Sequence, residues 1–345
     1  MQEGRGETDV STNPLSVLQY GLGPIGAAVL RIVAERPALR IVGAVDVDPA
    51  KVGRDVGAVA GLGRALHLPV DGDPAGALQR LRPSVVVHCT GSALTAVMPQ
   101  LREIVAAGAS VVSTCEELSY PWARQRELAL ELDTLARERG VAVLGAGVNP
   151  GFVMDLLPLV LSGVTTGVRA IHVRRVVDAS ARRGPLQRKI GAGLTRAEFK
   201  ERADRGAMGH VGLRESLHMV AAGLGWDVRD VTDTLEPVVA ETEIITAHSD
   251  VRPGHVAGVH EVARGVTPAG KSIELDLAMF VGALDPRDEV VIDGEPRIHM
   301  VMQGGIFGDT ATAAIVANAI PTIHAATSGL HSMRDLPVVT PYQDQ

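Results

Sequence analysis

The chain has 345 residues, enough for two domains with cores of their own, and a formal net charge of −7. That acidic balance, with scattered Lys and Arg, excludes a nucleic-acid surface, and no apolar run reaches the ~18 residues of a membrane span. Two cysteines, Cys89 and Cys115, form no disulfide framework and fit a reducing cytoplasm; with so few aromatics the core must rest on Val, Ala, Leu and Ile.

Residues 1–14 are polar, lack an apolar signal core and read as a disordered tail. An apolar strand over 15–20 then runs into Gly21-Leu22-Gly23-Pro24-Ile25-Gly26 and a helix over 25–35. In that context the three glycines are a dinucleotide-binding fingerprint. The first permits a tight turn, the second lets backbone approach a pyrophosphate, and the third lets the helix pack closely on the strand. A second strand ends at Asp46, whose carboxylate can accept hydrogen bonds from ribose hydroxyls. It would repel a 2′-phosphate, which favours NAD. Lys51 and Arg54 soften that repulsion, so NADP is tolerated.

Strands at 15–20, 41–46, 85–89, 111–114 and 141–144 alternate with helices at 25–35, 75–81, 95–107 and 122–139. That order predicts an α/β chain with an N-terminal Rossmann domain over 15–147. Ligands in such a sheet lie beyond the carboxyl ends of the strands. One strand end carries Thr90-Gly91-Ser92, small enough for backbone to approach a nicotinamide ribose, or simply a turn into the next helix. Another carries Glu116-Glu117. Burial and a like-charged neighbour favour protonation, which suits a general acid or base. A pair of carboxylates stabilising a helix N-terminus is the equal alternative. Cys115 has no paired histidine and reads as a small buried side chain.

Composition changes after Gly147. Strands at 168–177, 238–246, 256–264, 273–282 and 297–302, interrupted by helices at 195–206 and 212–223, predict an α+β substrate and dimerisation domain over 148–309. A helix at 310–320, ending before Pro321, opens a C-terminal segment, 310–345, expected to pack back on the first domain. Histidines 210, 218, 255 and 260 lack metal-ligand spacing, so no metal site is expected. His210 has glycines at 209 and 212, which suggests close packing around its imidazole, in a site or simply in the core.

The stretches GLGPIG, VDVDPAKVGRDVG, STCEELSYPW and GAGVNPGFVMDLLP, followed by RRVVDAS, GHVGLRESLHM, VAGVHEVARG and GDTATAAIVANAIP, occur in order over nearly all of 15–340. Together they resemble the 2,4-diaminopentanoate dehydrogenases and the native amine dehydrogenases related to them. Dihydrodipicolinate reductase is a more distant likeness with the same fold. Its paired-histidine and lysine motif is missing here, where Arg174-Arg175-Val176-Val177-Asp178 stands instead. The resemblance implies reversible oxidative deamination of a primary amine, or in reverse amination of a ketone or aldehyde with ammonia, by a homodimer. It also implies that Glu116 is the acid–base residue, before Glu117, and that Asn149, Phe152, Arg175 and His210 contact the substrate. Where some members carry an asparagine this chain has Val177, which would make the pocket more apolar there. A carbonyl or imine reductase without ammonia chemistry, and a cofactor-sensing protein without catalysis, are the competing readings.

Overall fold

A computed structural model describes residues 13–341, so the expected N-terminal tail lies, up to residue 12, outside the described residues. The first part of the chain runs β1 (Leu15–Tyr20), α1 (Pro24–Val33), β2 (Leu39–Val45), α2 (Val56–Ala60), β3 (Val70–Asp71), α3 (Pro74–Leu81), β4 (Val85–His88), α4 (Leu94–Ala106), β5 (Ser110–Ser113), α5 (Arg126–Arg139) and β6 (Ala142–Gly145). The second runs α6 (Leu156–Ser162), β7 (Thr166–Asp178), α7 (Gly184–Lys189), α8 (Arg196–Asp204), α9 (Leu213–Gly223), β8 (Asp230–Val239), β9 (Ile244–Ile245), β10 (Asp250–Val251), β11 (Val256–Val266), β12 (Ser272–Phe280), β13 (Arg287–Glu295) and β14 (Ile298–Gln303). α10 (Gly308–His324) and β15 (Gly329–His331) follow.

Seven parallel strands form the first sheet, in the order β15-β6-β5-β4-β1-β2-β3. Its central strands carry helices on both faces, which explains why Val85, Val86 and Val87 are all fully buried and show no alternation. The second sheet is mixed, in the order β14-β13-β7-β12-β11-β8, with only β7 and β12 parallel. Its strands alternate. Ile171, Val173, Leu275 and Leu277 face a core shared with α9, while His172, Arg174, Glu274 and Asp276 are only partly buried. α10 returns to the parallel sheet, where Val316, Ala317, Ile320 and Ile323 pack with Val29, Val33 and Val87. Among the described residues no helix is long and apolar enough to cross a membrane.

Four expectations need correction. The helix expected over 122–139 begins at Arg126, because Glu116–Ser119 and Pro121–Ala123 form separate 3-10 turns. The strand expected over 238–246 is two elements: β8 ends at Val239, and β9 pairs with β10 as a small hairpin. Pro237 hides β8 in the sequence and is tolerated because β8 is an edge strand. β13 is unmarked in the sequence because a charged residue, Asp288, occupies a core-facing position and breaks its apolar period. Finally, α10 continues through Pro321. That proline removes the amide that would bond the Ala317 carbonyl, and Arg36 donates to this carbonyl instead at 3.1 Å.

Candidate active site

A cleft of about 380 Å3 opens beyond the carboxyl ends of β1, β4, β5 and β6 and is closed on its far side by the second sheet and α7. The glycine loop forms one edge, and its three glycines meet three different demands. Gly21 has φ +90°, and a Cβ there would lie 2.5 Å from the Cys89 carbonyl. A Cβ at Gly26 would lie 2.0 Å from the Gly21 carbonyl, so only glycine lets α1 start so close to the strand. A Cβ at Gly23 would meet no protein atom within 4 Å. Its missing side chain therefore leaves room in the cleft. Gly23 caps α1 without a side-chain hydrogen bond, and Pro24 takes the first turn, where its absent N–H costs nothing. The helix thus presents free backbone N–H groups and the positive end of its dipole, as a pyrophosphate requires. These residues fit a dinucleotide.

Pro24, Ile25, Thr90, Gly91, Ser92 and Glu116 line the same cleft. Asp46 does not. It lies at the end of β2, where Oδ2 accepts the Leu22 N–H at 2.8 Å and the Lys51 ammonium at 3.0 Å, and Oδ1 accepts the Asp48 N–H at 2.9 Å. Burial opposes its charge, but the Asp48 and Leu22 amides and Lys51 outweigh it and hold the carboxyl below its ordinary range.

The two adjacent glutamates are used differently. Glu117 turns back onto its neighbours: Oε2 accepts the Leu94 N–H at 2.8 Å, at the start of α4, and the Gln125 side chain. It is a helix-terminus carboxylate, for α4. Glu116 lines the cleft, and among the described residues its carboxylate makes no hydrogen bond or ion pair. Between the neighbouring loops lies Cys115, buried and donating to the Ser92 carbonyl, with burial pushing its thiol up to about 12. That excludes it as a nucleophile near neutral pH.

The far wall is basic. Arg175 faces the cleft but is committed to Asp288, whose two oxygens it meets at 2.7 Å, and to the Ile306 carbonyl. Arg182 forks onto Asp309 at 2.9 and 3.1 Å and stacks over Phe307, and Arg183 lies 3.4 Å from the same carboxylate. Lys189, at the end of α7, has no hydrogen bond or ion pair within 4 Å among the described residues. Neither Lys189 nor Asp309 was anticipated from the sequence; the one signal was the basic cluster Arg182-Arg183 and Arg188-Lys189 in an acidic chain.

Asn149 and His210 complete the wall. Neither the amide oxygen nor the amide nitrogen of Asn149 has a partner, although both are buried. A ring N–H of His210 bonds the Asn149 backbone, which leaves its Nε2 buried and unpartnered. Burial, reinforced by Lys189 and Arg175, pushes this imidazole down to about 3, so it stays neutral. Two residues expected at the pocket lie elsewhere. Phe152 packs against the apolar clusters of both sheets and is absent from the lining, because it follows the turn at Pro150 and points into the seam between the sheets. Val177 is core too, on the buried face of β7.

This fold and this cleft define a nicotinamide-dinucleotide oxidoreductase of the Rossmann type, with a second, mixed sheet closing the cleft. The model of the 2,4-diaminopentanoate dehydrogenase C-terminal domain matches residues 152–345. The 2,4-diaminopentanoate dehydrogenase of Acetoanaerobium sticklandii is 33% identical over 339 residues, covering 94% of each chain. The chain belongs to the 2,4-diaminopentanoate dehydrogenase family. The amine dehydrogenase of Mycobacterium smegmatis superimposes with a TM-score of 0.86 at 28% identity, over 95% of this chain and 97% of that one. Dihydrodipicolinate reductase from Paenisporosarcina sp. TG-14 shares the fold, with a TM-score of 0.52 at 12% identity over 93% and 99% of the two chains.

Proposed function

We propose that this enzyme catalyses the reversible oxidative deamination of a small primary amine and, in reverse, amination of the corresponding ketone or aldehyde with ammonia. NAD is the preferred cofactor, with NADP tolerated, because Lys51 partly neutralises the Asp46 carboxylate that opposes a 2′-phosphate. The observation that carries the reading is the unengaged carboxylate of Glu116 in the cleft beside a neighbour, Glu117, whose carboxylate is spent on α4. When bound, the nicotinamide ring takes up or returns hydride at the carbon bearing nitrogen. Glu116 takes a proton from water as it adds to the iminium carbon and delivers it to nitrogen; as the C–N bond then breaks it takes the hydroxyl proton, which leaves the carbonyl, and passes that proton to ammonia. In the other direction it deprotonates ammonium for attack and protonates the departing hydroxyl. Such a group contributes on the order of 10²–10⁴-fold.

On the far wall, neutral His210 offers an acceptor and Asn149 both a donor and an acceptor, which suits the substrate's polar groups. Lys189 adds an ammonium without a counter-ion contact, and this supports a substrate amine that also carries an acidic group. Assembly as a homodimer belongs to the same reading. The outer face of the second sheet, with the polar pairs His172–Glu274 at 2.9 Å and His260–Asp276 at 2.8 Å, is the surface it would use. A monomeric mass by light scattering would remove that part.

The test is Glu116→Gln, which keeps size and polarity but removes proton exchange. Turnover in both directions should fall at least about 100-fold with NADH binding retained. Glu117→Gln should cost only ~0.3–1 kcal/mol of stability through the lost helix-terminus charge. Near-normal turnover in the Glu116 variant, or ketone reduction that proceeds equally without ammonium, defeats the proposal.

A further inference from the structure

His88 ends β4, is fully buried and touches no part of the cleft, yet its ring joins both loops that do. Its Nδ1 lies 2.8 Å from the Ser113 hydroxyl, which ends β5 and accepts the Cys115 N–H at 3.1 Å. Its Nε2 lies 2.8 Å from Oε1 of Gln100, on α4, and 2.9 Å from the Thr90 hydroxyl. Thr90 in turn donates to the same Gln100 oxygen at 2.7 Å.

With the Gln100 amide oxygen turned to the ring, the donor and acceptor inventory of these groups closes in one way. The Gln100 oxygen only accepts, so Nε2 carries the ring proton and Nδ1 is an acceptor. Ser113 must then donate to Nδ1, which leaves its lone pairs for the Cys115 amide immediately before Glu116. Thr90 spends its proton on Gln100 and shares the Nε2 proton with that oxygen, so it has no proton left for a ligand. Burial pushes the imidazole down to about 4, with the Gln100 bond working in the opposite direction, so the arrangement holds through the neutral range.

We propose that His88 is a positioning residue with two arms: through Ser113 it sets the turn that carries Glu116, and through Gln100 and Thr90 it sets the turn that faces the cofactor. A cofactor group that met the Thr90 hydroxyl would accordingly find an acceptor and not a donor. This rests on the reading of Glu116 as the acid–base group.

The arms are separable by variants outside the cleft. Ser113→Ala should lower kcat of amination about ten- to hundredfold, the cost of a misplaced catalytic group, with KM for NADH nearly unchanged. Gln100→Leu should raise KM for NADH about fivefold, the worth of one neutral hydrogen bond, with kcat nearly unchanged. His88→Leu should show both effects, and His88→Asn, which restores an acceptor and a donor, should recover part of one. Rates are taken per NADH-binding site titrated by fluorescence, so partial unfolding does not imitate a change in kcat. If Ser113→Ala and Gln100→Leu move kcat and KM together, or move neither, the two-armed role of His88 is wrong even where Glu116→Gln is inactive. If Glu116→Gln is active, the reading beneath it fails independently.

Discussion

The two walls of the cleft are built on opposite principles. On the parallel-sheet side the lining is backbone and small residues, with one carboxylate, Glu116, that makes no hydrogen bond or ion pair among the described residues. Opposite it stand three arginines and a lysine, the arginines all tied to Asp288 or Asp309. A wall of N–H groups suits a large ligand of constant shape, held by dipoles that need no side-chain ordering. A wall of charged side chains suits a small ligand that must be told from its analogues, because an unpaired charge in a desolvated site penalises the wrong partner heavily. On the function proposed above, the cofactor is held by shape and the substrate selected by charge.

Removing the free charge of the second wall is the strongest way to break that contrast. Lys189→Met should lower kcat/KM for an amine bearing a carboxylate about 10- to 100-fold, the worth of a charged hydrogen bond, while sparing its uncharged analogue. Equal losses for both members of such a pair would show that Lys189 serves the fold or the cofactor. A smaller effect probes the charge beside the first wall. Asp46→Ser should move the NADPH-to-NADH ratio of kcat/KM towards NADPH by about tenfold, near 1.4 kcal/mol of relieved repulsion. An unchanged ratio would confine Asp46 to holding the Leu22 and Asp48 amides.

The third test reads stability, not turnover, and concerns support beneath the second wall. Glu261 accepts the His210 N–H at 2.5 Å, and burial pushes its carboxyl up to about 7, against the His210 bond and Lys189. Its folded value is raised, so below about pH 4.5 it is protonated in both states and costs nothing. As pH rises from there to about 7 the unfolded chain ionises first, and stability is lost over that window, up to about 3 kcal/mol. Glu261→Gln keeps the acceptor without the titration. The Tm of the variant relative to the parent should therefore climb by a few degrees between pH 4.5 and 7.5. A difference that stays flat with pH would mean Glu261 is ionised throughout.

What the sequence disclosed follows from how local each cause is. The glycine loop was legible because a positive φ at Gly21 and a close approach at Gly26 are demands of a few consecutive residues. The helices ending at Gly108 and Gly140 were legible for the same reason, since both glycines adopt positive φ. β13 and β8 were not, because Asp288 and Pro237 owe their places to Arg175 and to the sheet edge. Within the cleft, residue type pointed to Glu116 or Glu117 without separating them; the resemblance put Glu116 first, and the amide of Leu94, from another element, engages Glu117. Phe152 illustrates the converse error, since an aromatic after a turn signals burial but not which of two neighbouring spaces it fills. His88 carried no signal at all, its partners at 90, 100 and 113 being brought together only by the sheet.

The last helix has a consequence for how the chain is made. Its first turn delivers Gly308, Asp309 and Thr312 to the cleft, and its remainder covers one face of a sheet assembled from residues far earlier in the chain. A chain emerging from the ribosome therefore holds an unfinished parallel sheet, apolar on one side, until residues 308–331 have followed. Such delayed, sequence-distant closure slows folding and leaves a sticky intermediate for as long as translation lasts. The order of synthesis also sets an order of competence: the basic wall can be complete in outline while the arginines at 182 and 183 still wait for Asp309. Charge neutralisation at the substrate side is thus among the last events, so a C-terminally truncated chain would lose the nucleotide sheet's cover and the counter-ion of the substrate wall in a single cut.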